Sequence, residues 1–305
     1  MKKLLIALIT AAISLTVSAK ENITIVYSWS PSDAAANFYR ALAEESNRQQ
    51  DKYNFVVDTK PGAGGTVAAK YVDSNPGMIL ANSSALFIRP QFFPNESHNI
   101  ADYRSIMPMC LAPMYIATGK YKTWNEVPKD QPTTIGMSGM GTTTHMVAEQ
   151  IVKRYPNLTV IPFKSTSEAL LSALSGQTDF AVVFFGDADS WAKNDNGGRK
   201  LYLLGMTGKQ AVNGVQTLSS QGFSVLLTDM SASQQLFVSV KFPEDKFKEI
   251  RSIFVKAAQS KLVRDANSAD GCIPNNQLAD KDLDGWFVFQ NTHWKNVASG
   301  ITIKK

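Results

Sequence analysis

Cysteine and histidine are scarce in this chain: Cys110 and Cys272 are the two cysteines, and His98, His145 and His293 the three histidines, among 305 residues. None falls in a Cys-x-x-Cys or His-Glu-x-x-His spacing, so no zinc site is expected, nor any other metal or cofactor. Like charges never form a run, and no basic stretch is interleaved with aromatics, which argues against a nucleic-acid partner. A Gly-x-Ser-x-Gly elbow is missing too, as is a pair of carboxylates at helical spacing in a credible pocket. The chain is therefore short of the parts an enzyme needs. Beyond the N-terminus no stretch is apolar for the roughly 20 residues a membrane-spanning helix requires.

The N-terminus itself is distinctive. Lys2 and Lys3 precede an apolar run from Leu4 to Val17, and Val17-Ser18-Ala19 supplies small residues ahead of the polar Lys20-Glu21-Asn22. This is the pattern of a secretory signal, residues 1–19, cleaved after Ala19. No cysteine near that point offers a lipid attachment, so a freely diffusing periplasmic protein is expected. Removing the two lysines lowers the formal charge from +5 to +3, since no acid leaves with them. In an oxidising compartment the two cysteines are compatible with one bridge or with two buried thiols.

Short apolar strand candidates alternate with helical stretches, the grammar of an α/β fold. Strands are expected at Ile23–Tyr27, Asn54–Asp58, Met78–Asn82, Thr133–Met137, Thr159–Phe163, Phe180–Phe185, Leu201–Leu204 and Gln235–Val240. Helices are expected at Ala34–Asn47, from Val67 to about Val72, at Thr144–Arg154, at Thr166–Ser175 with Gly176 as its cap, at Glu244–Leu262 and at Asp282–Ser299.

Candidate binding residues cluster where strands end. Gly62, Ala63, Gly64, Gly65 and Thr66 lie between a strand and a helix, where glycines expose backbone amides at a helix's positive end and suit an anion. The same residues also satisfy a plain tight turn. No Gly-Lys-Ser/Thr follows, and Val67 stands where a dinucleotide fingerprint needs glycine, so a nucleotide is not expected. Gly141, Thr142, Thr143, Thr144 and His145 repeat the physics with hydroxyls, more of them than one helix cap requires. Ser83 and Ser84 could donate hydroxyls or simply turn the chain. Trp29 could wall a pocket or fill the core. Gly186 and Asp187 end the most apolar strand, at the edge where open α/β sheets bind ligands, although a solvated loop explains Asp187 and Asp189 equally well. A Thr143–His145 or Ser84–His145 hydrolase is the alternative from another class.

The order Pro61-Gly62-Ala63-Gly64-Gly65-Thr66, then Ser83-Ser84, then Gly141-Thr142-Thr143-Thr144-His145, then Ile161-Pro162-Phe163-Lys164-Ser165-Thr166 and Ala169-Leu170-Leu171-Ser172-Ala173-Leu174-Ser175-Gly176-Gln177-Thr178-Asp179 resembles the substrate-binding proteins of tripartite tricarboxylate transporters. The resemblance implies a two-lobed, type II periplasmic-binding fold of the Venus-flytrap kind. Each lobe would be a mostly parallel sheet flanked by helices, joined by crossing strands, with residues 20–118 and 235–305 in lobe 1 and 119–234 in lobe 2. It implies a monomeric receptor that captures a small carboxylate and delivers it to integral membrane transporter subunits, or a sensor that keeps the binding fold without transport. The first turn departs from the family's glycine-rich pattern: it reads Ser30-Pro31-Ser32-Asp33, and the family's acidic position falls on Ala36. Ser32 and Asp33 thus join the expected site, and Asp33 either faces an amine on the ligand or points outward at the helix start.

Overall fold

The computed structural model describes residues 19–193, 198–269, 271–274 and 283–302. Met1–Ser18 of the expected signal segment and Asp282 of the last expected helix lie outside the described residues. Among those described, no helix is long and apolar enough to cross a membrane.

The chain runs β1 (Glu21–Tyr27), α1 (Ala34–Gln49), β2 (Tyr53–Thr59), α2 (Thr66–Ser74), β3 (Ile79–Ser83), α3 (Ala85–Phe92), β4 (Tyr103–Ala112) and β5 (Met114–Thr118). It continues through β6 (Thr133–Ser138), α4 (Thr143–Val152), β7 (Leu158–Phe163), α5 (Thr166–Ser175), β8 (Phe180–Phe184), α6 (Phe185–Lys193) and β9 (Tyr202–Met206). The last elements are β10 (Ala232–Ser239), α7 (Glu244–Ala257), α8 (Lys261–Ala269), β11 (Ile273–Pro274) and α9 (Leu283–Ser299). One long helix was expected over Glu244–Leu262; it divides into α7 and α8, because the chain turns through Ala258–Ser260.

Two sheets organise these elements, with strand orders β11-β4-β10-β3-β1-β2 and β7-β6-β8-β5-β9. Both are mixed rather than mostly parallel. In the first, β1 pairs parallel with β2 and β3, but β10 runs antiparallel to β3 and β4. In the second, β6 pairs parallel with β7 and β8, but β5 runs antiparallel to β8 and β9. The antiparallel members are those that carry the chain between sheets. β4 ends at Ala112 in the first sheet and β5 begins at Met114 in the second, so Pro113 alone makes the crossing. Met114–Ala117 pairs with Phe184–Ala181 of β8, ahead of the expected boundary at residue 118. The return crossing is complete by Ala232, where β10 starts, ahead of the expected Gln235.

Apolar periodicity explains the packing. Phe38, Leu42 and Ala41 of α1 recur at three- and four-residue spacing and are buried, with Ile23 and Ile25 of β1 and Phe247, Ile250 and Phe254 of α7 in the same cluster. In β8, alternate residues serve two cores: Phe180 and Val182 join the cluster containing Ile135 and Ile151, while Ala181 and Val183 join Leu170 and Ala173 of α5. A strand covered on both faces loses the polar alternation of a half-exposed one. Cys110 of β4 and Cys272 beside β11 form a disulfide, with Cα atoms 5.5 Å apart.

Candidate functional site

The β1 and β2 strands are parallel neighbours, so the turns that follow them, Ser28–Asp33 and Lys60–Gly65, emerge at the same edge of the first sheet. The turn after β6 and the start of α6, which follows β8 directly, do likewise in the second sheet. The sheet edges face each other, and the opposed turns meet in two places of different character.

The first meeting is between glycines. Gly62, Ala63, Gly64 and Gly65 all have positive φ, at 134°, 46°, 59° and 87°, backbone that the three glycines adopt without strain. Gly64 lies directly against the turn after β6: a Cβ on it would stand 2.8 Å from the Met140 carbonyl, and one on Gly139 would stand 3.1 Å from Gly64 Cα. Arg89 of α3, itself buried, donates to the same Met140 carbonyl. The two glycine turns therefore touch, and the open groove beside them is lined by Gly62, Ala63, Gly64, Gly139 and Met140 on its outer side. Thr66 is buried at the start of α2, with no partner for its hydroxyl.

The second meeting encloses a cavity. It is lined by Tyr27, Trp29, Asp33 and Ala35 after β1, Ser83 and Gln234 from the first sheet, Ser138, Thr142, Thr143 and Thr144 after β6, and Thr166, Phe184 and Asp187. About 20 Å³ is free to the centre of a water molecule, room for about one water. The hydroxyl wall is pre-organised. Thr142 Oγ1 donates to the Gly139 carbonyl at 2.9 Å and lies 2.9 Å from Thr144 Oγ1, which in turn accepts the Ser138 amide at 3.1 Å. Thr142 also caps α4 by accepting the His145 amide, so capping and wall-building share one residue. Trp29 is 7% exposed, and its indole N–H has no partner.

At one end of this cavity two carboxylates exchange helices. Asp33 precedes α1 but makes no side-chain bond to it. Its Oδ1 instead accepts the Ser167 hydroxyl at 2.6 Å and the Ser167 amide at 3.3 Å, at the start of α5. Asp187 of α6 reciprocates: its Oδ1 accepts the Ala34 amide of α1 at 3.0 Å and its Oδ2 the Thr166 hydroxyl at 2.6 Å. Each acid thus sits at the positive end of a helix from across the cleft. Both are nearly enclosed, Asp33 at 4% and Asp187 at 7% exposure. Burial, then the Asp187 charge, pushes the Asp33 carboxyl from 3.8 up to about 7, against the pull of hydrogen bonds from Ser167 and Ser165. Burial also raises Asp187, partly offset by Thr166, Ala34 and Ser167. Ser32 and Gly186 line the wider groove on the outer side of this pair, to which Ala34, Ser167 and Asp187 also contribute.

Of the residues expected from sequence, Trp29, Asp33, Ser83, Thr142, Thr143, Thr144 and Asp187 converge on the cavity. Asp33 points inward, and Asp187 is buried rather than solvated because α6 begins at Phe185, immediately after β8, with no loop between. Ser84 is fully buried and its Oγ accepts the Ser233 amide at 2.8 Å. His145 Nδ1 accepts the Gly141 amide at 3.0 Å, so that nitrogen cannot also accept a proton from Thr143 or Ser84. Ser167 escaped sequence reading although it sits inside a legible capping box, in which Ser165 accepts the Glu168 amide. No group of three or more His, Cys, Asp or Glu among the described residues could hold a metal.

Comparison with solved structures finds the same fold. A periplasmic transporter is 17% identical and superposes with a TM-score of 0.79 over 92% of this chain and 96% of that one. The periplasmic binding protein BugD is 18% identical, with a TM-score of 0.77 over 92% and 97% of the two chains. MatC from Rhodopseudomonas palustris, with bound malate, is 15% identical, with a TM-score of 0.77 over 92% and 98%. No curated protein matches. The family model for the tripartite tricarboxylate transporter family receptor matches residues 38–260, from within α1 to the turn before α8, and the chain belongs to that family of extracytoplasmic binding proteins.

Proposed function

We propose that the protein captures a small carboxylate-bearing solute between two lobes, residues 20–113 with 232–305 and residues 114–231, and passes it to membrane transporter subunits. The enclosed cavity at the sheet edges carries this reading. Hydroxyls converge on it from Ser83, Ser138, Thr142, Thr143, Thr144 and Thr166, and the unpartnered Trp29 N–H lies in its wall. Thr142 and Thr166 spend their protons on the Gly139 carbonyl and on Asp187, so Ser83, Thr143 and the Trp29 N–H are the donors left for an anionic oxygen, in a wall held by hydrogen bonds and shielded from water. The malate bound to MatC and the adipate bound to a second R. palustris relative are both small diacids. Room for a single water means that such a solute enters only when the lobes part and close again around it.

A ligand that binds only the folded form stabilises it by about 2.7 kcal/mol at a hundredfold excess over Kd. Thermal unfolding in the presence of organic acids and amino acids should therefore reveal a rise with at least one compound class. A complete panel without any rise would remove the reading. Delivery is tested separately: the ligand-loaded protein should be retained by membranes carrying the transporter subunits, and equal retention of the unloaded protein would argue against a ligand-dependent hand-over. The proposed leader is tested by sequencing the N-terminus of exported protein, which should begin at Lys20.

A further inference from the structure

Asp33 and Asp187 are unusual company for an anion. Both border the cavity, both are more than nine-tenths buried, and they approach from opposite sides of the cleft. The groups facing Asp33 are Asp187 of α6 and Ser165 and Ser167 of α5, with Tyr27 the other titratable residue in the lining. Among the described residues no lysine, arginine or histidine offsets either acid. A single Ser167 hydroxyl stands 2.6 Å from Asp33 Oδ1 and 3.2 Å from Asp187 Oδ1, and its one proton can satisfy only one of them at a time. Both acids can be ionised together only at a cost, so Asp33 keeps a proton until near pH 7 unless a cation supplies the counter-charge. The walls add to the demand for a cation. Tyr27, Trp29 and Phe184 line the same cavity, and aromatic faces attract ammonium groups.

Trp29 makes an independent demand. Its buried, partnerless N–H can only donate, so it calls for an acceptor, and the Thr142–Thr144 hydroxyls border the same space. One cavity thus offers a donor to an acceptor group and an acid pair to a cation.

We propose that the acid end of the cleft, Asp33 with Asp187, is a subsite for a cationic nitrogen, so that the preferred solute is zwitterionic, its carboxylate against the hydroxyl wall and its ammonium between the two acids. This rests on the carboxylate-receptor reading and narrows it. In the ligand-free arrangement the Ala34 and Ser167 amides and the Ser167 and Thr166 hydroxyls are the acids' partners; in the complex the ligand's ammonium takes a place between them. Asp187 lines both the enclosed cavity and the outer groove, so one of the two acids stands where these spaces adjoin.

The test is calorimetric titration of the full mature chain at pH 8 with matched pairs that differ by one ammonium, succinate with aspartate and glutarate with glutamate. At least one amino diacid should bind about tenfold or more tightly than its plain partner, a gap of about 1.4 kcal/mol. Asp33→Asn should bring that ratio towards one, and Asp187→Asn, as a second variant, should do the same. For the wild type the ratio should grow between pH 6 and pH 8, as Asp33 ionises near 7, and it should stay flat for Asp33→Asn. Equal or tighter binding of the plain diacids overturns the cation subsite and leaves the carboxylate receptor standing. Silence from all four compounds, with no response to other organic acids or amino acids, overturns both.

Discussion

Gly64 and Asp33 occupy equivalent places in the chain, each after a parallel strand of the first sheet and just before or within the turn into a helix, yet they meet the second sheet's turns in opposite ways. Gly64 brings backbone against backbone, with no side chain and no enclosed space between it and Gly139. Asp33 sends a carboxylate across to Ser167 and receives Asp187 in return at Ala34. The first contact is steric. The second is polar, desolvated and only half satisfied. Glycine-rich turns at strand ends can serve close approach, while unmet polar demand gathers at the neighbouring turn, where glycines are missing.

The sharpest way to break the glycine contact is Gly64→Val. A β-branched residue at φ 59° is strained by roughly 1–3 kcal/mol, and its Cβ would also be driven to within 2.8 Å of the Met140 carbonyl, adding overpacking of similar size. Thermal unfolding should drop by several degrees, and small-angle scattering should record a larger radius of gyration as the turns are forced apart. An unchanged radius would mean that the contact does not hold the lobes together.

Asp33→Asn tests the other contact through pH. The wild-type carboxyl has an ordinary value of 3.8 when unfolded and about 7 when folded. Between those values the folded chain holds a proton that the unfolded chain has released, so this group's contribution to stability falls as pH rises from about 4 to 7. Asparagine keeps an acceptor for Ser167 and has no charge to bury. Its stability relative to wild type should therefore improve by about 1–3 kcal/mol between pH 4 and pH 8, measured by urea unfolding. A constant difference across that range would mean that Asp33 is not held protonated.

How much of this was legible beforehand depended on whether local pattern and tertiary placement agreed. The strands β1, β2, β3, β6, β7, β8 and β9 and helices α1, α4 and α5 follow directly from apolar runs, periodicity and the Gly176 cap, with ends displaced by a residue or two. β4 and β5 did not, since Pro108 lies inside the first and Pro113 separates them, and proline ordinarily argues against an inner strand. β4 tolerates Pro108 because its register against β10 shifts there. Pro90 hid α3 in the same way. In the cavity, Trp29, Asp33 and the Thr142–Thr144 run were marked by their positions at strand ends. The Ser165–Glu168 capping box marks a helix start, but nothing local ties Ser167 or Gln234 to the site: each enters it through a partner more than 100 residues away in sequence, Asp33 across to Ser167 and Ser83 beside Gln234. The burial of Asp187 likewise depends on α6 starting without a loop, a fact of tertiary packing.

A smaller effect separates the hydroxyl from the charges it serves. Ser167→Ala removes the donor at 2.6 Å from Asp33 and 3.2 Å from Asp187, while the Ser167 amide still reaches Asp33 at 3.3 Å. Hydrogen bonds to charged groups contribute about 1.5–3 kcal/mol. A protonated Asp33 makes an ordinary neutral bond of about 1 kcal/mol. The loss should therefore be greater at pH 8 than at pH 5. Equal losses at the two pH values would show that the carboxyl stays in one protonation state across the range.

Gly176→Ala supplies the scale on which the Gly64 result is read. Gly176 caps α5 at φ 81°, close to the left-handed conformation of Gly64, but a Cβ there meets nothing within 4 Å. The substitution therefore isolates the cost of left-handed backbone from the cost of collision. That cost is about 1 kcal/mol, and it should lower the unfolding midpoint by roughly 2–4 °C for a chain of this size without changing the radius of gyration. Gly64→Ala shares the backbone penalty and adds the clash with Met140. The difference between the two alanine variants thus measures the contact between the turns, and equal losses would mean that conformational freedom alone, and no approach of the two sheets' edges, requires glycine at position 64.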